Sequence, residues 1–183
     1  MRCDIDYKRI YRNVKYPRLE FKTGDLVLIL SEDHNPEEII EKHKSWIYKK
    51  KDFIRRSLEA SKDKKIFDRT EKEFRELVYS IVEGFSDDLD LNFNKIYFRK
   101  MRTKWASCSS KKNLTINKLM RYLPLNLIEY VIFHELAHLI EKKHNKNFWS
   151  IISKKFDNYE ELEKELFVYW FLIQKTKLNY KDR

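Results

Sequence analysis

Glycine and proline are scarce in this sequence, with two and three residues respectively among 183. Turn-rich β-sandwiches and barrels need more of both, so the shortage argues against those folds and favours helices. Two cysteines cannot form a disulfide framework, which predicts a reducing compartment, the cytoplasm. No apolar run reaches the roughly 18 residues that a membrane span needs, and no apolar signal region follows the first residues. We therefore expect no membrane partner.

Aromatic residues are abundant, at 15% of the chain, beside 42% hydrophobic and 37% charged residues. This composition excludes a mainly disordered chain, and the length suits one ordinary domain or two very small ones. The acidic stretch at residues 87–90 is a candidate boundary. We expect a hairpin and basic helices in residues 1–90 and a second part in residues 91–183, unless the two form one continuous domain.

Local patterns predict helices and a few strands. In chain order, the expected elements are a hairpin over residues 19–30 with Gly24 in its turn, a helix from Asn35-Pro36, a helix over residues 68–83 with Gly84 as its C-cap, paired strands at residues 96–98 and 114–116, a helix from Pro124 to about Ile140, and two shorter helices after it.

The net charge is +10, and much of it lies in one segment. Between Lys95 and Arg121 there are nine basic residues and no acidic one. Such a stretch is a candidate footprint for an anion, nucleic acid included, and the alternative is a solvated basic face without a partner. Charge alone leaves both open. The candidate anion-binding residues are Arg99, Lys100, Arg102 and Lys104.

Three of the five histidines fall within eleven residues, at His134, His138 and His144. The first two are four apart on a predicted helix, so both imidazoles project from one face, as two ligands of one zinc ion would. A helix alone cannot align His144 with them, so the chain must turn after about Glu141. The alternative is that these histidines are core residues next to the apolar run at residues 130–133. That alternative requires a costly burial of polar groups.

Three protein ligands leave the fourth position of a zinc ion open, which is the pattern of catalytic sites. Glu135 follows the first candidate ligand and lies off the ligand row, where its carboxylate is placed to take a proton from an attacking water. The residues therefore predict a hydrolase with one zinc ion and Glu135 as general base. The same ligands also accept other divalent ions.

These residues lie within a longer run, from about Arg99 to Trp149, that resembles a known family. The matching segments are Arg102-Thr103-Lys104-Trp105-Ala106-Ser107-Cys108, Leu114-Thr115-Ile116-Asn117, Leu123-Pro124, Tyr130 to His138, and His144-Asn145 with Phe148-Trp149. The run is similar to the YgjP-like (M48-like) zinc metallopeptidase domain, which is related to the WLM and SprT-like proteases.

The resemblance implies an α+β, zincin-like and mostly helical fold in which an active-site helix packs beside a small antiparallel sheet. It implies zinc ligands at His134, His138 and His144, with the base at Glu135. Gluzincins use a downstream glutamate as third ligand instead, and Glu161, Glu163 and Glu165 are available here. The family pattern favours His144.

In zincin-like enzymes an edge strand beside the active-site helix pairs with an extended peptide. Either residues 105–108 or residues 114–117 could play that part, so Trp105, Ser107 and Asn117 are candidate substrate-binding residues. The alternative is that Trp105 and Cys108 are packing residues. We also expect Asn117 to position a neighbouring loop by hydrogen bonding.

The expected function is a cytoplasmic zinc peptidase that acts on protein or peptide substrates. Nucleic acid beside the site, as in the related groups, is a further candidate partner. One alternative is a metal-dependent nucleoside triphosphate pyrophosphatase, which the basic residues favour and the lack of a Gly-rich phosphate loop disfavours. Another is a nucleic-acid-binding module with a structural zinc, which would normally need four protein ligands.

Overall fold

The computed structural model describes residues 5–22 and 25–179. The described strands are β1 (Lys8–Tyr11), β2 (Arg18–Lys22), β3 (Asp25–Leu30), β4 (Ile96–Arg99), β5 (Ala106–Cys108) and β6 (Leu114–Asn117). The α-helices are α1 (Pro36–Lys42), α2 (Lys44–Ala60), α3 (Glu71–Asp88), α4 (Leu125–Ala137), α5 (Lys146–Lys155) and α6 (Tyr159–Asn179), with a 3-10 helix at Lys118–Tyr122. Among these described residues, no helix is both long and apolar enough to cross a membrane.

The described chain divides into two compact units. One comprises the residues up to Asp63 together with those from Trp170 onward, and the other is Lys64–Tyr169. The sequence places a boundary near residue 90 instead. The difference arises because α3 packs on α4, with the rings of Phe85 and Phe133 5.2 Å apart and edge to face. The assignment of domains to residues 1–90 and 91–183 stays a prediction.

The first unit is built on the predicted hairpin. β2 and β3 pair antiparallel, and β1 pairs parallel to β3 on its other side. The turn with Gly24 lies outside the described residues. Buried apolar side chains form the core of this unit, and they are Ile5, Leu26, Leu28, Leu30, Ile40 and Ile47.

Helix boundaries in the first unit and in α3 follow capping chemistry. Asn35 accepts hydrogen bonds from the backbone N–H groups of Glu37 and Glu38, and Pro36 occupies the first helical position, as predicted. Thr70 and Glu73 form a capping box at the start of α3. The predicted C-cap at Gly84 is wrong, because α3 continues to Asp88.

The second unit contains the sheet beside α4. Its strand order is β4-β6-β5, with β4 parallel and β5 antiparallel to the central β6. The sheet is therefore mixed and not purely antiparallel, since the connection after β4 carries the chain to the far edge before β6 returns to the centre. The fold class is α+β, as expected, and β5 is the edge strand that contacts α4.

Candidate active site

Three imidazoles converge where α4 ends. His134 lies in the last turn of α4, His138 is its C-cap and His144 lies in the loop before α5. Their candidate ligand atoms all lie within 4.8 Å of one another, and Nε2 of His134 is 3.0 Å from Nε2 of His144. Bonds of about 2.0–2.1 Å to a tetrahedral ion put ligand nitrogens roughly 3.4 Å apart, so this arrangement fits one metal ion.

The electrostatics of the cluster suit metal binding. Burial, together with the neighbouring His138 and His144, lowers the pKa of His134 to about 3. Burial also lowers the pKa of His138. Both rings are therefore neutral near pH 7, and the neutral imidazole is the form that donates a lone pair to a metal.

A tight turn brings His144 back to the helix. The carbonyl of Ala137 accepts hydrogen bonds from the backbone N–H groups of Ile140 (3.0 Å) and Glu141 (2.9 Å). Asn145 then caps α5 by accepting a hydrogen bond from the N–H of Phe148. These local bonds close the six-residue interval that a continuous helix could not bridge.

Aromatic rings support the three imidazoles. The Phe148 side chain is fully buried and stacks on His138 with 4.6 Å between ring centroids. It also meets His134 and His144 edge to face, and Trp149 stacks on His144. Packing on these apolar surfaces restricts the rotamers of all three histidines.

The outward-facing nitrogens of two imidazoles also have partners. Nδ1 of His138 donates to the carbonyl of Glu141 at 3.2 Å. Nδ1 of His134 lies 3.8 Å from Oε1 of Glu163, which accepts a 2.6 Å hydrogen bond from the Tyr130 hydroxyl. Such outer contacts would orient the rings and leave Nε2 of each available to hold an ion.

The alternative third ligands lie elsewhere. Glu163 contacts the outer nitrogen of His134 and is not part of the cluster that could hold an ion. Glu165 pairs with Lys64, and Glu161 is exposed. Within the described chain, the geometry therefore favours His144.

Glu135 projects from α4 beside the cluster and is only 9% exposed. Burial raises the pKa of its carboxyl to about 7, although the backbone N–H of Cys108 and the charge of Lys104 act in the opposite direction. A carboxyl with a pKa near neutral both accepts and returns protons readily.

A cleft of about 800 Å³ opens over these groups. Residues 104–110 around β5 form one part of its lining, and the others are Tyr130, Val131, His134, Glu135, His138, Lys142, His144, Trp149, Glu163 and Leu166. The predicted substrate-binding residues Trp105 and Ser107 line it. Since β6 is paired on both sides, the free edges among the described strands of this sheet belong to β4 and β5, and β5 is the one that contacts α4 and lines the cleft.

Asn117 does not line the cleft, and it organises a loop as expected. Its buried amide donates to the carbonyls of Met101 (3.0 Å) and Lys104 (2.7 Å) and caps the following 3-10 helix through the N–H of Leu119. The segment that leads into β5 is thereby held in place.

The four predicted anion-binding residues separate. Lys104 lines the cleft, whereas Arg99, Lys100 and Arg102 are exposed and outside its lining. The guanidinium of Arg99 lies 5.2 Å from the centroid of the Tyr97 ring. The sequence shows how many basic residues a segment has, but the path of the backbone determines which of their side chains reach the site.

Sequence reasoning gave no role at the site to Tyr130 or Lys142, and it named Glu163 only as an alternative third ligand. Tyr130 precedes His134 by one helical turn, so helical spacing could have placed it on the same face. Glu163 comes from α6, 33 residues beyond Tyr130, and no local signal distinguishes it from Glu161.

Comparisons with known proteins indicate the family of the chain. The family model described as YgjP-like, metallopeptidase domain matches residues 54–168, which is more than half of the chain. A UTP pyrophosphatase of Escherichia coli (strain K12) is 31% identical over 62 residues, or 34% of this chain. The match spans only 37% of the length of that relative.

Two solved structures are also similar in part. The metallopeptidase zymogen abylysin of Pyrococcus abyssi is 24% identical with a TM-score of 0.45, covering 49% of this chain and 90% of that one. The metallopeptidase zymogen jannalysin of Methanocaldococcus jannaschii is 32% identical with a TM-score of 0.44, covering 54% of this chain and 96% of that one. From the family match, the chain belongs to the YgjP-like metallopeptidase-domain family.

Proposed function

We propose that this protein is a zinc-dependent peptidase that binds one zinc ion through His134, His138 and His144. The observation that carries the proposal is the convergence of three imidazoles beside a buried carboxyl, under a free strand edge. In the described part of the chain the cluster has three members, which leaves room for a reacting water.

The chain's own residues account for the remaining chemistry. A zinc ion, when bound, supplies a Lewis acid that polarises the scissile carbonyl and acidifies water. Glu135 takes a proton from the attacking water and returns it to the leaving nitrogen, which balances the hydrolysis of the amide bond. The edge of β5 holds the substrate as an added strand, so that the bond to be cut lies over Glu135.

Metal analysis combined with a substrate screen tests this proposal. The wild-type protein is expected to retain about one equivalent of zinc and to cleave peptides, and His144→Ala is expected to lose both properties. His43→Ala is the matched control, because His43 lies at the junction of α1 and α2 and outside the cluster. Full zinc content in His144→Ala would contradict the ligand assignment.

A second candidate reaction is the hydrolysis of a nucleoside triphosphate to a monophosphate and pyrophosphate. It is favoured by the partial similarity to a UTP pyrophosphatase and by two lysines in the cleft lining. Water activated by Glu135 would attack the α-phosphorus, and pyrophosphate would leave. Release of pyrophosphate from UTP that disappears in Glu135→Ala, without peptide cleavage, would favour this reaction.

Two further expectations stay predictions. Nucleic acid beside the site was predicted from the basic run, but three of the four candidate residues lie outside the cleft lining. Peptide cleavage measured with and without DNA at low salt tests that association, and an unchanged rate would remove it. A cytoplasmic location also stays a prediction, to be tested by fractionation of the cells that produce the protein.

A further inference from the structure

Two lysines line the candidate active-site cleft without a counter-ion. Lys104 belongs to the segment that leads into β5, and Lys142 belongs to the loop between α4 and α5. Neither ammonium group has a hydrogen bond or an ion pair with a described residue. Elsewhere on the molecule, exposed cations such as Lys8 and Arg55 do pair with carboxylates.

The backbone at both lysines is tied to the site. The carbonyl of Lys104 accepts a 2.7 Å hydrogen bond from the buried amide of Asn117. Lys142 lies between His138 and His144, and it is spanned by a 3.1 Å hydrogen bond from the backbone N–H of Lys143 to the carboxylate of Glu141. Both ammonium groups are therefore carried by anchored backbone and not by free loops.

The acidic residues of the cleft lining form no ion pair with either lysine in the described structure. These acidic residues are Glu135 and Glu163, and Glu163 already accepts from Tyr130. Lys104 and Lys142 line the same cleft as Glu135 and the three histidines. A substrate that enters therefore meets two ammonium groups that are in no ion pair with a described residue, beside the candidate metal ligands.

We infer that Lys104 and Lys142 form an anion subsite that binds negatively charged oxygens of the substrate next to the hydrolysed bond. This inference rests on the proposed peptidase function, for which the anion is the side-chain carboxylate of an aspartate or glutamate near the scissile bond. Phosphate oxygens of a nucleotide offer the same charge and the same hydrogen-bond acceptors. Lysine recognises either as a point charge and does not impose a planar geometry.

A binding experiment separates this subsite from catalysis. The zinc-loaded Glu135→Gln protein is titrated with two fluorescent peptides that differ only by an Asp or an Asn beside the expected cleavage point. Each exposed lysine–carboxylate contact contributes a factor of roughly two to five. We expect the acidic peptide to bind about tenfold more tightly at low salt, and the preference to shrink at high salt.

Charge variants then assign the preference to the two lysines. Adding Lys104→Gln and Lys142→Gln should reduce the preference to less than about twofold, and Lys104→Glu should reverse it. The matched control carries Lys100→Gln and Lys111→Gln, which remove the same charge from exposed lysines outside the cleft lining. The control should keep the preference.

A parallel titration with UTP and uridine distinguishes the two sources of the anion. If the lysines favour UTP over uridine but do not favour the acidic peptide, the subsite binds phosphate. That result supports the subsite and counts against the peptidase function. Lysine-dependent peptide binding without any peptide cleavage by the wild type supports the subsite and contradicts the peptidase. Equal binding of each charged probe and its neutral match overturns the inference, and so does an equal loss of preference in the control variant.

Discussion

The two three-stranded sheets have the same strand order and differ in what their central strands present. The central strands, β3 and β6, pair parallel with β1 and β4 on one side. On the other side they pair antiparallel with β2 and β5. β3 is apolar and buried from Leu26 to Leu30, whereas β6 ends in the buried amide of Asn117. Leu30 and Asn117 hold the same register position, opposite the last residue of β1 and of β4.

That single position separates a purely structural sheet from one that prepares a site. Leu30 contributes apolar surface to the core of the first unit. Asn117 instead binds the carbonyls of Met101 and Lys104, and so holds the segment that leads into the edge strand β5. The same topology therefore serves two purposes, and side chains decide between them.

The largest expected effect tests whether the second sheet adjoins a hydrolytic site. Glu135→Gln removes the proton acceptor, so the turnover of whichever substrate the screen identifies should fall by a factor of about 10² to 10⁴. Zinc content and the circular dichroism spectrum should not change. Turnover rates and metal analysis provide the measurement.

Glu129→Gln is the matched control, because Glu129 lies on the same helix and outside the cleft lining. It makes the same change in charge and should retain full turnover. An active Glu135→Gln protein would show that Glu135 is not the base.

The next prediction concerns an exchange of the side chains at Leu30 and Asn117. Leu30→Asn should lower the free energy of unfolding of its unit by about 3–5 kcal/mol, because it loses buried apolar surface and buries an unpaired amide. Asn117→Leu should cost about 1–3 kcal/mol, because the carbonyls of Met101 and Lys104 lose their donor. Urea unfolding followed by circular dichroism measures both.

The exposed Leu125 provides the control for this exchange. It is 44% exposed, so Leu125→Asn should change stability by no more than about 0.5 kcal/mol. Equal costs for Leu30→Asn and Asn117→Leu, together with unchanged substrate binding in the latter, would remove the distinction between the two sheets.

Local signals made much of this site predictable. The His134–His138 spacing and the adjacent Glu135 follow from helical periodicity, and the return of His144 follows from the length of the intervening turn. The hairpin and the α1 cap also follow from neighbouring residues. The prediction of a C-cap at Gly84 is wrong because a glycine ends a helix only where the pattern of buried positions also stops. In α3, Ser86 is still buried.

Non-local contacts explain what the sequence could not predict. Glu163 meets His134 only because α6 packs near α4, and Lys104 is selected from a basic run because Asn117 anchors it. The parallel pairing of β4 with β6 likewise depends on the path between them. Such contacts are determined by tertiary packing, which periodicity and composition do not encode.

The Glu163 contact gives the next prediction. Glu163→Ala should weaken zinc affinity about 10- to 100-fold, because His134 loses the carboxylate that orients its outer nitrogen. Tyr130→Phe should have a smaller effect in the same direction, since it removes only the hydroxyl that binds Glu163. Competition with a chelating dye measures the affinity.

Glu161→Ala is the control, because Glu161 is exposed on the same helix. Unchanged zinc affinity in Glu163→Ala would exclude the orienting role. Complete loss of zinc from Glu163→Ala, with zinc retained by His144→Ala, would instead make Glu163 the third ligand.

The smallest effect concerns Cys108, the last residue of the edge strand of the second sheet. Burial and, to a lesser extent, the charge of Glu135 raise the pKa of its thiol to about 11. Only the thiolate reacts with iodoacetamide, so in a Cys3→Ser protein at pH 8 Cys108 should react at least about tenfold more slowly than an exposed cysteine.

Ser110→Cys in a protein that lacks both native cysteines is the reference, because Ser110 is exposed and lines the same cleft. Equal rates at the two positions would mean that β5 and α4 do not exclude solvent there, and the low exposure of Glu135 would then be wrong as well.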